Sequence, residues 1–117
     1  MDFHNFFEFE IINNHLAVIK LPQMVVSGEE AMNFTALINH LIDMKSTMIV
    51  LDLANVQIMN STGLGMIAGT HNNLSKINTP FFLTNLNAKI EKLFEMTHLN
   101  QVIKIEKSLE NVLNKLK

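Results

Sequence analysis

Residues 47–53, Thr-Met-Ile-Val-Leu-Asp-Leu, constrain the fold of this chain more than any other segment, because they form a nearly continuous apolar run. A strand with one wet face alternates apolar and polar side chains, whereas an unbroken run suits a strand buried on both faces. Such a strand needs cover on both sides. In a largely parallel sheet the crossover helices supply it. Residues 81–84 (FFLT), after the break at Pro80, and residues 102–105 (VIKI) read as further short strands of the same sheet.

The segments between these runs have helical spacing. Ser27-Gly28-Glu29-Glu30 has the form of a capping box. It opens a helix with Ala31, Phe34, Leu37, Ile38 and Leu41 on one stripe, running to about Met44. Ser61-Thr62-Gly63 opens a second helix, with Leu64, Ile67, Ala68, His71 and Leu74 on its inner stripe and Met66 and Thr70 expected off it. Asn87 caps a third, with Ile90, Leu93 and Phe94 inward. Ser108 caps a fourth, with Leu109, Val112, Leu113 and Leu116 inward. At the start of the chain, residues 6–12 (FFEFEII) alternate, with Phe7, Phe9 and Ile11 toward a core and Glu8 and Glu10 toward water. Asn13-Asn14 is a turn signal, and residues 15–21 (HLAVIKL) return as a second strand, so a hairpin is expected. The order ββαβαβαβα predicts one α/β domain spanning residues 1–117, with a mixed sheet of about five strands and about four helices.

Composition removes several classes of function. Hydrophobic residues make up 48% of the 117, enough to build a core and too many for a disordered chain. No cysteine is present, so no disulfide framework, thiol nucleophile or cysteine zinc site exists. No stretch of about 18 apolar residues offers a membrane span. The opening MDFHNFFEFE lacks a basic segment followed by an apolar run, so a signal peptide is not expected and a cytoplasmic location is. The formal charge is −2 and the nine basic residues are all lysines, scattered along the chain. Nucleic-acid binding, which needs clustered charge, is therefore not expected. The histidines at 4, 15, 40, 71 and 98 show no ligand spacing, so no metal is expected. Asp43 and Asp52 form no carboxylate dyad, and no nucleophile elbow, phosphate loop or dinucleotide fingerprint is present. No catalytic residue and no cofactor are expected; the chain reads as a binding module rather than an enzyme.

The most informative segment runs from Val50-Leu51-Asp52-Leu53 to Asn60-Ser61-Thr62-Gly63-Leu64-Gly65. It is a buried strand, a short connection and a helix start. Ser61 and Thr62 place hydroxyls where free N–H groups and the helix dipole tolerate an anion, and either could cap the helix. Gly63, Gly65 and Gly69 leave small surfaces for close approach.

This segment resembles the STAS domain family, and within it the bacterial anti-sigma factor antagonists. The family pattern is a strand ending in D-L, a loop, then D-S-[ST]-G-[LI]-[GA]. The likeness continues at Glu91-Lys92-Leu93-Phe94-Glu95-Met96-Thr97-His98-Leu99, similar to the family's K-x-L-F-x-[ML]-x-x-L. It covers about residues 6–116. It implies a partner switch: the unphosphorylated chain binds an anti-sigma factor that is also an ATP-dependent serine kinase, phosphorylation of Ser61 (alternatively Thr62) releases it, and a PP2C-type phosphatase resets the cycle. The implied partner surface comprises Asn60, Ser61, Thr62, Gly63, Leu64, Gly65, Met66, Met24 and Val25.

Three positions depart from the family pattern. Asn60 replaces the motif's usual aspartate, Val25 stands where an aspartate often closes the stretch matching Pro22-Gln23-Met24-Val25, and His98 stands where a turn glycine is common. The first two keep open a second reading on the same fold: a scaffold subunit, stressosome-like or part of a lipid-transport complex, with no phosphorylation cycle.

Overall fold

The opening hairpin forms as the alternation predicts. In the computed structural model, which describes residues 7–13 and 15–115, β1 (Glu8–Ile12) pairs antiparallel with β2 (Leu16–Lys20), and Asn13 takes a φ of 55° at the turn. Phe7 is buried edge-on against Phe34, with ring centroids 5.5 Å apart. The expectations for Phe6, Asn14 and Leu116 lie outside the described residues. Glu8 and Lys20 meet across the hairpin at 3.7 Å, an exposed pair worth little.

β2 then pairs in parallel with β4 (Met48–Asp52), β4 with β6 (Phe81–Thr84), and β6 with β7 (Lys104–Glu106), giving a five-stranded mixed sheet of order β1-β2-β4-β6-β7. The helices are α1 (Gly28–Asp43), α2 (Ser61–Lys76), α3 (Ala88–Met96) and α4 (Leu109–Lys115). One sheet face, carrying Ala17, Ile19, Ile49, Leu51, Phe81 and Leu83, packs into a core with Phe34, Leu37, Ile67, Leu74, Ile90 and Phe94 of α1, α2 and α3. The other face packs Leu16, Val18, Met48, Val50 and Phe82 against Val112 of α4. β4 is thus buried on both sides, which is why its run does not alternate. The capping box of α1 is complete: Glu30 N donates to Ser27 Oγ at 3.1 Å, and Ser27 N donates to Glu30 Oε1 at 3.1 Å.

Four features differ from the sequence reading. Two additional strands of two residues each, β3 (Met24–Val25) and β5 (Ile58–Met59), pair in parallel beside the main sheet. They are too short to carry a periodic signal. The last strand lies at Lys104–Glu106 rather than 102–105, because a 3-10 turn at Leu99–Gln101 leads into Val102, which is exposed. The buried stripe of α2 is Gly63, Met66, Ile67, Thr70 and Leu74, so Met66 and Thr70 face the interior and Leu64, Ala68 and His71 sit at its margin. Gly63 packs closely on β3, and the side of α2 it shares with Met66 and Thr70 faces inward. Thr70 satisfies its buried hydroxyl on Met66 O at 2.9 Å. Finally, the N-cap of α2 is Asn60, not Ser61 or Thr62.

His98 follows the C-cap of α3 with φ 62°, the left-handed turn that glycine usually supplies. Its side chain is exposed. His98→Gly is expected to stabilise the fold by about 1 kcal/mol through relief of left-handed strain, read as a raised urea midpoint. An unchanged midpoint would show that the histidine is unstrained there.

Candidate functional site

The chain leaves the C-terminal end of β4 at Asp52, whose carboxylate organises the connection to β5. Asp52 Oδ1 accepts from Ala54 N at 2.9 Å and from Asn85 Nδ2 at 3.0 Å. Asn87 caps α3 through Oδ1 (Ile90 N, 2.9 Å) and donates through Nδ2 to Val56 O at 2.9 Å. Two asparagines after β6 therefore fasten the 53–57 connection. It delivers β5 alongside β3, where Gln23 O accepts from Gln57 N at 2.8 Å and Ile58 N at 3.1 Å, and the two glutamine side chains join at 2.8 Å.

Beyond β5 the helix begins. Asn60 Oδ1 accepts from Thr62 N at 3.1 Å and Gly63 N at 3.2 Å, while Nδ2 donates to Val26 O at 3.1 Å. Ser61 is the first helical residue and is exposed. Because Asn60 takes the cap, the Ser61 hydroxyl is left outside it. The first turn of α2 holds no acidic side chain, so no carboxylate of that helix opposes an anion on Ser61 at its positive end. Gly63 sits against β3: a Cβ there would lie 2.4 Å from Val25 O and 2.8 Å from Met59 Cγ.

The surface predicted from sequence is brought together only in part. Asn60, Ser61, Thr62, Gly65 and Met24 are exposed and Leu64 is half-buried. Val25, Gly63 and Met66 are buried and support the surface from below, which corrects their place among the contacting residues. Val25 is a core residue because its strand alternates, with Met24 outward and Val25 inward. Sequence reasoning misses Ile58; it pairs with Met24, and the two side chains are 46% and 49% exposed, an apolar pair beside the helix start. It also misses Asn85, since nothing in the sequence marks that residue's reach to Asp52.

No aspartate, glutamate, lysine or arginine occurs from Leu21 to Gly28 or from Leu53 to Ser75. The solvent side of α2 is therefore uncharged up to Lys76, whereas α1, α3 and α4 each carry acidic residues in their first turn. Charged residues are depleted where surfaces are to be desolvated against a partner. Gly65 and Gly69 lie on this side, exposed, and a Cβ at either would meet nothing within 4 Å. Gly65→Ala and Gly69→Ala should each raise stability by about 0.5–1 kcal/mol, since the fold makes no use of a missing side chain at either position. Paired thermal melts check this, and a loss of stability would refute it.

Among the described residues no cluster of histidine, aspartate and glutamate suited to a metal occurs, and no helix is long and apolar enough to cross a membrane.

The model of the STAS domain family matches residues 8–112. The anti-sigma-B factor antagonist of Listeria monocytogenes is 36% identical over 64 residues, 55% of each chain. That of Staphylococcus aureus is 32% identical over 62 residues, 53% of this chain and 57% of its own. The matched stretch thus spans just over half the length of these relatives. Among solved structures, a protein of Thermotoga maritima superposes with a TM-score of 0.83 at 22% identity, covering 97% of this chain and 96% of its own. The anti-sigma factor antagonist SpoIIAA in its unphosphorylated form gives 0.73 at 18% identity, covering 94% and 96%.

Proposed function

The chain belongs to the STAS domain family, and on that premise we propose that it is an anti-sigma factor antagonist that switches partners through Ser61. The unphosphorylated chain binds an anti-sigma factor that is also a serine kinase; phosphate on Ser61 releases it; a PP2C-type phosphatase restores the binding form. The names of the Listeria and Staphylococcus relatives support the general role.

The observation that carries the reading is the setting of Ser61: exposed, first in α2, relieved of capping by Asn60, and at the head of a helix with no charged side chain before Lys76. A phosphate adds roughly 1.5 to 2 negative charges. On a helix face with no charge of its own before Lys76, that changes the electrostatic character of the face. The fold tolerates the anion at a helix N-terminus, while a partner packed over it must bury it unpaired. Thr62 is exposed as well and is the alternative acceptor.

The test is capture from native lysate with wild type, Ser61→Asp and Thr62→Ala as baits, followed by phosphosite mapping after incubation with ATP. An ATP-dependent serine kinase retained by wild type and Thr62→Ala, lost with Ser61→Asp, and modifying Ser61 is the expected result. Identical partners on all three baits, in a large assembly, would favour the scaffold reading that the uncharged Asn60 and buried Val25 keep open.

A further inference from the structure

Val26 is held from both sides by the side chains that cap two different helices. Its N–H donates to Glu30 Oε1 at 3.2 Å, the same oxygen that closes the capping box of α1. Its carbonyl accepts from Asn60 Nδ2 at 3.1 Å, on the residue that caps α2. Val26 follows β3 directly, so whatever fixes its peptide also fixes Met24 against Ile58. The Asn60 side chain makes three hydrogen bonds, two as acceptor within its own helix and one as donor across to this loop.

The division between acceptor and donor decides what residue can stand here. A carboxylate supplies the acceptor that caps a helix as well as a carboxamide does. It has no proton to donate, and it would set an oxygen against the carbonyl oxygen of Val26. We propose that Asn60 is a positioning residue whose carboxamide clamps the Met24–Ser27 loop onto the first turn of α2, so that Ser61 and the Met24–Ile58 pair are presented to the partner as one fixed face. The functional half of this proposal rests on the partner-switch reading; the clamp itself does not. The carboxamide is then the working feature of position 60 rather than a weakened form of a carboxylate.

The test uses the full chain and the substitution Asn60→Asp. Amide hydrogen exchange is followed by NMR at Val26, Gln57 and Ile58, which report the loop and the β3–β5 pairing, and at Thr62 and Gly63, which report the cap. Exchange at the first three should quicken by about fivefold or more, the size expected from losing one hydrogen bond, while Thr62 and Gly63 stay protected. Two backbone N–H donors at a helix start hold the introduced carboxyl below the usual aspartic range, so the pH is lowered until its own carboxyl ¹³C signal shows it protonated and able to donate. Glu30, which accepts from Val26 N, is common to both chains and cancels in their ratio. The exchange ratio of variant to wild type, each measured at the same pH, should then fall back toward one. Loss of a cap alone would not produce that reversal. Equal loosening of Thr62 and Gly63, or a ratio that ignores pH, would overturn the clamp.

A second arm measures binding to the purified kinase that wild type retains through Ser61. Asn60→Asp should weaken it about fivefold at neutral pH, and undiminished affinity with a loosened loop would overturn the positioning role. If no Ser61-dependent kinase exists, the partner-switch reading falls, and the exchange measurements still judge the clamp.

Discussion

Gly63→Ala is expected to destabilise the chain by about 3 kcal/mol, the largest effect of any single methyl added to α2. The Cβ would lie 2.4 Å from a backbone oxygen of β3 and 2.8 Å from Met59. A flexible side chain could turn aside, but Val25 O cannot. Its peptide is followed by Val26, whose N–H and C=O are both bonded, and its strand is paired with β5. Relief therefore requires either β3 or the start of α2 to move, and both form the proposed surface. For a domain of about 100 residues each kcal/mol is worth about 4–8 °C of melting temperature, so a drop of more than 10 °C is expected. Gly65→Ala, one half-turn on, is the internal control, because it adds the same methyl into open space. If Gly63→Ala unfolds within about 0.5 kcal/mol of wild type, the contact between β3 and α2 gives way freely, and a rigid face around Ser61 is ruled out.

The contrast between these two glycines shows where sequence reading reaches its limit. Both stand in the same short motif, and both read alike as points of close approach. Only Gly63 meets a neighbour, and that neighbour, Val25, lies 38 positions earlier in the sequence. The regular part of the fold is legible because its signals are local. The apolar run at 47–53 identifies the central strand, the Ser27–Glu30 box marks the start of α1, and the Asn87 cap marks α3. Two-residue strands give no such signal, so β3 and β5 read as loop. Without β3 the packing of Gly63 and Met66 at the start of α2 is not visible, and periodicity alone places Met66 outward. Ser61 is legible from its motif. Its surroundings — the Met24–Ile58 pair, the Asp52–Asn85 bond and the Asn60–Val26 bond — join residues more than 30 positions apart.

Ser61→Asp should separate the fold from its function by moving the two in opposite directions. The first turn of α2 carries no acidic residue, and an aspartate at the first helical position faces the positive end of the helix dipole. A gain of about 0.3–1 kcal/mol in stability is expected at low ionic strength, diminishing as salt screens the interaction. Nothing buried is disturbed, since Ser61 is exposed and the cap belongs to Asn60. Binding should respond far more strongly. A charge placed where a partner covers the start of α2, whose own side chains supply no counter-ion before Lys76, must be desolvated at a cost of several kcal/mol. At about 1.4 kcal/mol per tenfold, affinity for the Ser61-dependent kinase should fall by about 100-fold or more. Ser61→Asn, of nearly the same size without the charge, should keep most of the affinity and lose the gain in stability. Calorimetric titration of the kinase beside thermal melts of the free chain measures both. A variant that loses binding because it has begun to unfold would be less stable than wild type. A variant that gains stability and keeps its affinity would show that charge at Ser61 does not control the partner.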